Sequence, residues 1–193
     1  SIVGMLYNIQ LIKYAGENGV AAYGVLMYVN FIFLAVFIGY SVGTAPIIGY
    51  NYGAGNHSEL KNLLKRSLWI IGICSGAMVF AAEILARPLA TMYVGYDIEL
   101  FELTLRGFKI YSLAFLFAGM AIFGSSFFTA LNNGLISALL SFLRTIVFEV
   151  SGVFLIPMIF GIDGIWMAIV VANGLAAIVT ILFLLANRKR YHY

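Results

Sequence analysis

Long stretches without a single charged side chain constrain this sequence more than any other feature. No Asp, Glu, Lys or Arg occurs within residues 18–58, 110–143 or 164–187. Charged residues make up 10% of the chain, whereas soluble globular domains carry about 25%. A bilayer core needs about 20 consecutive apolar residues for each spanning helix. The sequence therefore predicts an all-α integral membrane protein and excludes a water-soluble domain.

The charge spacing divides the chain into five predicted full spans. Residues 1–12 are apolar as well, but an α-helix of that length reaches only about 18 Å. We therefore expect residues 1–12 to be part of an incomplete span, and the chain to be part of a longer protein. Pro46 cannot donate a helical hydrogen bond and is expected to end the first full span. The full spans are residues 21–45, 67–86, 110–131, 139–160 and 165–186.

The predicted connections are short, and two of them carry clear local signals. Asn56 followed by Glu59 predicts a capped helix start. Residues 132–134, Asn-Asn-Gly, tolerate positive φ and predict a tight turn. Glu83 and Arg87 stand four residues apart near the end of the second span, so we expect them to pair on one helix face.

Basic residues collect on one side of the predicted membrane. That side holds seven Lys and Arg residues and one acid, against four basic and six acidic residues on the other. The positive-inside rule places the basic side in the cytoplasm. We therefore expect a multi-pass protein of the cell membrane with a cytoplasmic C-terminus, and we attribute the net charge of +3 to topology rather than to nucleic-acid binding. The seven residues are Lys61, Lys65, Arg66, Arg144, Arg188, Lys189 and Arg190.

The sequence contains no recognisable catalytic or metal-binding pattern. It has neither GxxxxGKS nor GxxxxGKT, the two forms of the phosphate-binding loop. His57 and His192 lack the spacing of metal ligands. Cys74 is the single cysteine and cannot form an intrachain disulfide. These patterns predict a protein that is not an enzyme, with no catalytic residue, no metal site and no cofactor.

Residues 45–56 form an apolar, aromatic and glycine-rich connection after the first full span. Glycine allows positive φ and close backbone approach, so an interhelical turn that packs closely is expected. The string Pro-Ile-Ile-Gly-Tyr-Asn-Tyr-Gly-Ala-Gly-Asn in this segment resembles the signature of the multidrug and toxic compound extrusion (MATE) transporters, where it joins helices eight and nine. The motif residues are Pro46, Gly49, Tyr50, Asn51, Gly53 and Gly55.

Three further segments resemble the same family, and together they cover essentially the whole chain. Residues 18–24 resemble the entry to helix eight, residues 128–134 the end of helix ten, and residues 141–144 the start of helix eleven. The resemblance implies twelve helices in two six-helix lobes, with this chain as the C-terminal lobe lacking most of helix seven. It also implies export of drugs or other amphipathic organic cations in exchange for H⁺ or Na⁺ by alternating access. The implied partners are the lipid bilayer and the N-terminal lobe of the same parent protein.

Glu149 is the predicted proton- or cation-binding residue. It lies about 15 Å into its predicted span, where an acid costs about 2.5–3.5 kcal/mol. An acid there either binds a proton or a cationic substrate, or holds the lobe together through a hydrogen bond to a neighbouring helix. Arg144 lies about 140° away around an α-helix and is expected at the cytoplasmic interface rather than beside Glu149. The family resemblance places the main coupling acids in the N-terminal lobe.

An aromatic and polar stripe in the first full span is the predicted substrate-contacting surface. Its members recur at helical spacing, and aromatic faces attract flat organic cations. Packing against neighbouring helices is the alternative explanation of such a stripe. The candidates are Tyr23, Met27, Asn30 and Phe31, together with Tyr7 and Gln10 from residues 1–12 and Phe123 from the third full span.

Two other functions stay open on the sequence alone. A lipid-linked oligosaccharide flippase of the same superfamily would share many-helix lobes and apolar loops. A non-transporting membrane scaffold would need no polar residues in a central cavity. The Pro-Ile-Ile-Gly-Tyr string favours the efflux transporter over the flippase.

Overall fold

The structure, a computed structural model, describes residues 2–193, so Ser1 of the expected 1–12 segment lies outside the described residues. Five apolar helical segments are each long enough to cross a membrane, which confirms the predicted all-α membrane fold. The segments are Ile2–Gly53, His57–Val94, Ile98–Ala130, Gly134–Phe160 and Ile162–Tyr191. Their helices are α1 (Ile2–Gly53), α2 (His57–Val94), α3 (Ile98–Tyr111), α4 (Phe115–Ala130), α5 (Gly134–Phe142), α6 (Val150–Leu155), α7 (Pro157–Phe160) and α8 (Ile162–Tyr191).

Helix α1 consists of two arms that meet at Gly16. Gly16 has φ 60° and ψ −149°, a conformation that glycine adopts without a steric penalty. The chain folds back there. This is shown by the rings of Tyr7 and Tyr23, one on each arm, which stack at 5.3 Å. Residues 2–15, which contain the described part of the expected incomplete span, therefore pack alongside the first full span.

The expected end of the first span at Pro46 is not observed, because α1 continues to Gly53. Pro46 leaves the carbonyl of Val42 without its helical donor, a loss that transmembrane helices tolerate. One turn earlier, Thr44 Oγ1 donates to the carbonyls of Tyr40 at 2.9 Å and Ser41 at 3.3 Å, and Ser126 Oγ from α4 donates to Ser41 at 3.2 Å. The connection to α2 is consequently only residues 54–56.

The two predicted connection signals are confirmed. The side-chain oxygen of Asn56 accepts a hydrogen bond from the backbone N–H of Glu59 at 3.2 Å, so α2 begins with the expected cap. Asn132 has φ 57°, and the side chain of Asn133 accepts from the N–H of Ile136 at 3.1 Å. The Asn-Asn-Gly segment therefore both turns the chain and caps α5.

The expected pairing of Glu83 with Arg87 is wrong. Glu83 accepts a hydrogen bond from the hydroxyl of Ser112, which lies in the single 3₁₀ turn between α3 and α4. Among residues 2–193 the ion pair that forms is Arg106 with Asp163. The carboxylate of Glu83 thus holds α2 against the α3–α4 junction instead of stabilising its own helix.

Helix α4 occupies the centre of the lobe and contacts α1, α2, α5 and α8. Two separate cores form along these helices. The first contains Tyr7, Leu26, Tyr111 and Trp166. The second is rich in aromatic rings, and we call these six residues the aromatic cluster: Phe37, Phe123, Phe127, Phe128, Tyr191 and Tyr193.

Candidate functional site

A cavity of about 240 Å³ lies beside the first core. Its wall is built from both arms of α1, from the segment joining α3 to α4, from residues 143–149 and from α8. Many of the residues predicted from the sequence meet here. We call it the polar cavity, and its lining includes Tyr7, Tyr23, Met27, Asn30, Phe31, Tyr111, Arg144, Glu149 and Asn173.

Two tyrosines from the arms of α1 form one wall of the polar cavity. The rings of Tyr7 and Tyr23 lie nearly parallel, with 6° between their planes. Tyr7 is almost fully buried, at 1% exposure, whereas Tyr23 is partly exposed. The fold-back at Gly16 creates this pair, since it brings together two helix segments that are 16 residues apart in the chain.

Residues Leu143–Glu149 form a π-helix, and this local geometry brings two charges into one cavity. A π-helix pairs residue i with residue i+5, so Arg144 and Glu149 lie about one turn apart instead of on divergent faces. Both line the polar cavity, and the side chain of Arg144 is partly buried. The expectation that Arg144 extends to the membrane interface is therefore wrong, because it rested on α-helical periodicity.

Several polar atoms around the cavity have no hydrogen-bond partner in the described part of the chain. These are the hydroxyl of Tyr7, Nε of Arg144 and the side-chain oxygen of Asn173. The amide nitrogen of Asn173 is already used, donating to the carbonyl of Ile169 at 3.0 Å. Buried polar groups are normally hydrogen-bonded, so these atoms offer unused donors and an acceptor to whatever enters the cavity.

The polar cavity contains one acidic and one basic side chain. Within residues 2–193, no group of three or more His, Cys, Asp and Glu could hold a metal ion. The cavity's carboxylate is that of Glu149 and its guanidinium that of Arg144. The other polar side chains of the lining are tyrosines, asparagines and Thr145.

Comparison with known protein families decides the identity of the lobe. The MatE family model matches residues 1–155, about four fifths of the chain. The chain belongs to the MatE family.

Relatives and solved structures agree with this membership. The multidrug export protein MepA of Staphylococcus aureus (strain MSSA476) is 21% identical over 187 residues, covering 97% of this chain and 41% of its own. An outward-facing multidrug resistance MATE family transporter of the MOP superfamily superposes with a TM-score of 0.91 at 21% identity, covering 98% of this chain and 43% of that one. VcmN of Vibrio cholerae, in its bent form, gives 0.89 at 18% identity with the same coverage.

This chain thus spans about two fifths of the length of the relatives it matches. That coverage agrees with one lobe of a MatE transporter, the C-terminal lobe that the Pro-Ile-Ile-Gly-Tyr string indicates. At these identities the superpositions establish the fold of the lobe. The predicted all-α membrane lobe of MatE type is confirmed.

Two predicted contact residues lie outside the lining of the polar cavity in this MatE lobe. Gln10 is buried on the first arm of α1, with 7% of its surface exposed. Phe123 is fully buried in the aromatic cluster, 5.7 Å from the ring of Phe127 and 6.2 Å from that of Tyr40. Since α4 contacts α1, α2, α5 and α8, each of its faces meets a different helix, and Phe123 lies on a face away from the cavity. Helical spacing alone does not show which face meets which neighbour.

The MatE motif forms the end of α1 and its turn into α2. Gly49 permits close approach to α4, since a methyl group there would lie 3.3 Å from the carbonyl oxygen of Ala130. Asn51 donates from its side chain to the carbonyl of Ile47 at 2.9 Å. Gly55 has φ 69° and makes the turn, while Tyr50 is 76% exposed. Pro46, Gly49, Tyr50, Asn51, Gly53 and Gly55 therefore shape a junction and lie apart from the cavity.

Tyr111, Asn173 and Arg144 are among the cavity residues of the MatE lobe that were not assigned to a site from the sequence. Tyr111 lies at the end of α3, where the following 3₁₀ turn directs the chain into α4. Asn173 lies within α8, and Arg144 was expected at the interface. The spacing of five between Arg144 and Glu149 is the one signal that could have found the pair, provided that a π-helix had been considered.

Proposed function

We propose that this lobe is the C-terminal half of a secondary active transporter that exports drugs or other amphipathic organic cations in exchange for H⁺ or Na⁺ by alternating access. The observation that carries the proposal is the carboxylate of Glu149 in a cavity walled by the stacked rings of Tyr7 and Tyr23. An ionised carboxylate attracts a cation, and aromatic faces add cation–π attraction. Membership of the MatE family supports the same assignment.

The charges of the polar cavity support an exchange of ions for substrate. With Glu149 ionised, its charge balances that of Arg144, and a cationic substrate meets a neutral site with a carboxylate in it. With Glu149 protonated or occupied by Na⁺, Arg144 leaves a net positive charge that repels the substrate. Ion binding and substrate binding then exclude one another, which is the requirement for antiport.

The N-terminal lobe of the parent protein is proposed to complete the site. Phe31 lines the polar cavity yet is 67% exposed, as expected for a wall that the second lobe covers. We infer from the family resemblance that further coupling acids belong to that lobe, and we propose that Glu149 acts alongside them. We further propose that the parent protein resides in the plasma membrane with the basic C-terminal end in the cytoplasm, and that it carries out no enzymatic reaction.

Transport by the intact parent protein in sealed vesicles tests the proposal. A fluorescent organic cation is loaded, and an inward pH or Na⁺ gradient is imposed. Extrusion that stops when the gradient is collapsed is expected. No extrusion under either gradient would remove the antiporter. In that case, movement of a lipid-linked oligosaccharide would favour the flippase, and no movement of either would favour the scaffold.

A further inference from the structure

A second concave surface, separate from the polar cavity, lies between the start of α2 and the end of α8. It encloses about 390 Å³. None of its lining residues comes from α1, whereas α1 supplies much of the polar cavity. We call it the basic groove, and it is defined by Lys61, Lys65, Leu68, Trp69, Leu185 and Arg188.

Each wall of the basic groove has its cations at one end and its apolar side chains further along the helix. Lys61, Lys65 and Trp69 recur every four residues on α2, so they form one row with the cations at the helix start. On α8, Arg188 follows Leu185 and Ile181 on one face, with the cation at the helix end. Since the start of α2 and the end of α8 lie together, three cations form one rim and apolar side chains fill the depth.

The cations at the rim lack acidic partners in the described chain. Lys61, Lys65 and Arg188 are exposed, and the one ion pair observed among residues 2–193 lies elsewhere, between Arg106 and Asp163. The groove lining contains no Asp or Glu. The rim therefore carries an uncompensated positive charge suited to an anionic headgroup.

Below the rim, large apolar side chains are exposed. Trp69 is 67% exposed, Leu185 63% and Ile181 44%. Tyr193 closes the end of the groove, because His192 turns the chain with φ 59° and the Tyr193 hydroxyl donates to the carbonyl of Leu184 at 2.9 Å. A ligand that fits must have a negative group at one end and hydrocarbon at the other.

We propose that the basic groove binds an anionic phospholipid of the surrounding bilayer, with its phosphate at Lys61, Lys65 and Arg188 and an acyl chain along Trp69 and Leu185. Basic pockets between transmembrane helices hold anionic lipid headgroups in this way. The aromatic ring of Trp69 lies between the charged rim and the apolar depth, where tryptophan is favoured at membrane interfaces. The site does not depend on the transported substrate or on the coupling ion.

Quenching of Trp69 fluorescence tests the site. Every tryptophan of the intact parent protein except Trp69 is replaced, including Trp166→Phe. This variant is reconstituted with lipids brominated on the acyl chain. We expect brominated phosphatidylglycerol to quench Trp69 more strongly than brominated phosphatidylcholine at equal mole fraction. Lys61→Gln/Lys65→Gln should reduce this preference by about fivefold for each charge removed.

A matched control separates the groove from general surface charge. Lys189→Gln/Arg190→Gln removes two cations from the same end of the lobe but none from the groove lining, and it should keep the preference. If Lys61→Gln/Lys65→Gln does not fold, Arg188→Gln provides the same test with one charge. The proposal would be overturned by equal quenching by both lipids in the unsubstituted protein, or by an equal loss of the preference in both double variants. Displacement of the lipid by millimolar inorganic phosphate would overturn it too, as would an absence of quenching because another protein surface covers Trp69.

Discussion

The polar cavity and the aromatic cluster occupy different halves of the same lobe and differ in how their side chains are satisfied. In the cavity half, the hydroxyl of Tyr7 and Nε of Arg144 are buried without a partner, and the space holds two opposite charges. In the aromatic half, Phe123, Phe127 and Phe128 are fully buried and pack ring against ring.

This difference separates the residues that can bind from those that hold the lobe together. Apolar rings at full burial stabilise by excluding lipid and by van der Waals contact, and they leave no room for a ligand. Buried polar groups that lack a partner within the protein gain when a ligand supplies their hydrogen bonds. Substitutions in the aromatic half should therefore affect folding, and those in the cavity half should affect transport.

The largest effect is expected from Gly124→Ala beside the aromatic cluster. A methyl group at position 124 would lie 2.0 Å from Cγ2 of Thr180 on α8. Threonine has only two favoured χ1 rotamers in a helix, so either Thr180 changes rotamer or the helices separate, at a cost of about 1–3 kcal/mol. Thermal unfolding in detergent measures the loss. Gly72→Ala is the matched control, because no atom lies within 4 Å of its new methyl group. An equal response of both variants would contradict the role of close α4–α8 packing.

Glu149→Gln should impair transport while leaving the fold intact. It removes the carboxylate of the polar cavity and leaves Arg144 uncompensated, so gradient-driven efflux should fall by about tenfold, the equivalent of about 1.4 kcal/mol, or lose its dependence on pH. Initial efflux rates measured from pH 6 to 8 would show this. Glu99→Gln in the first turn of α3 is the control. Unchanged efflux at every pH would remove Glu149 from the coupling proposal.

Tyr23→Leu and Phe123→Leu should separate the two halves. Tyr23 lines the cavity and is partly exposed, so its loss should raise the apparent KM for a flat organic cation about threefold to tenfold, in line with an aromatic contact of about 0.5–1.5 kcal/mol. Phe123→Leu should lower the unfolding temperature and leave KM unchanged. Concentration dependence of dye efflux and thermal unfolding are measured for both. A raised KM in Phe123→Leu alone would reverse the assignment of the halves.

Tyr193→Phe should produce the smallest change. It removes the hydrogen bond to the carbonyl of Leu184 but keeps the ring that packs 5.2 Å from Phe127, so the loss should be about 0.5–1.5 kcal/mol. Burial, with a further contribution from Tyr191, raises the pKa of Tyr193 above its ordinary value. The stabilisation is therefore complete below about pH 10 and falls at higher pH. The unsubstituted protein should unfold at a higher temperature than Tyr193→Phe at pH 7, and this difference should shrink at pH 10.5. The same difference at both pH values would contradict this.

The sequence was sufficient for an all-α membrane fold with five long apolar helices and for several residues that line the cavity, because both depend on local patterns. Charge-free stretches reveal membrane helices, and the spacing of Tyr23, Met27 and Asn30 places them on one face. The direction of Phe123 depends on which helices surround α4, which no local pattern contains. Likewise, the approach of Arg144 to Glu149 requires a π-helix, and α1 continues through Pro46 although local propensity disfavours proline inside a helix. These are tertiary effects that override helical periodicity.

Protection of a cavity residue by substrate is the most direct test of the central claim, that the polar cavity is the substrate site. Asn30→Cys is introduced into the intact parent protein with Cys74→Ser, and its reaction with a small maleimide is timed with and without ethidium, a flat organic cation. Tyr28→Cys is the control, because Tyr28 lies on the same arm but stacks on Tyr93 of α2. Ethidium should slow labelling of Asn30→Cys and leave Tyr28→Cys unaffected. Labelling of Asn30→Cys at the same rate with and without ethidium would contradict the claim.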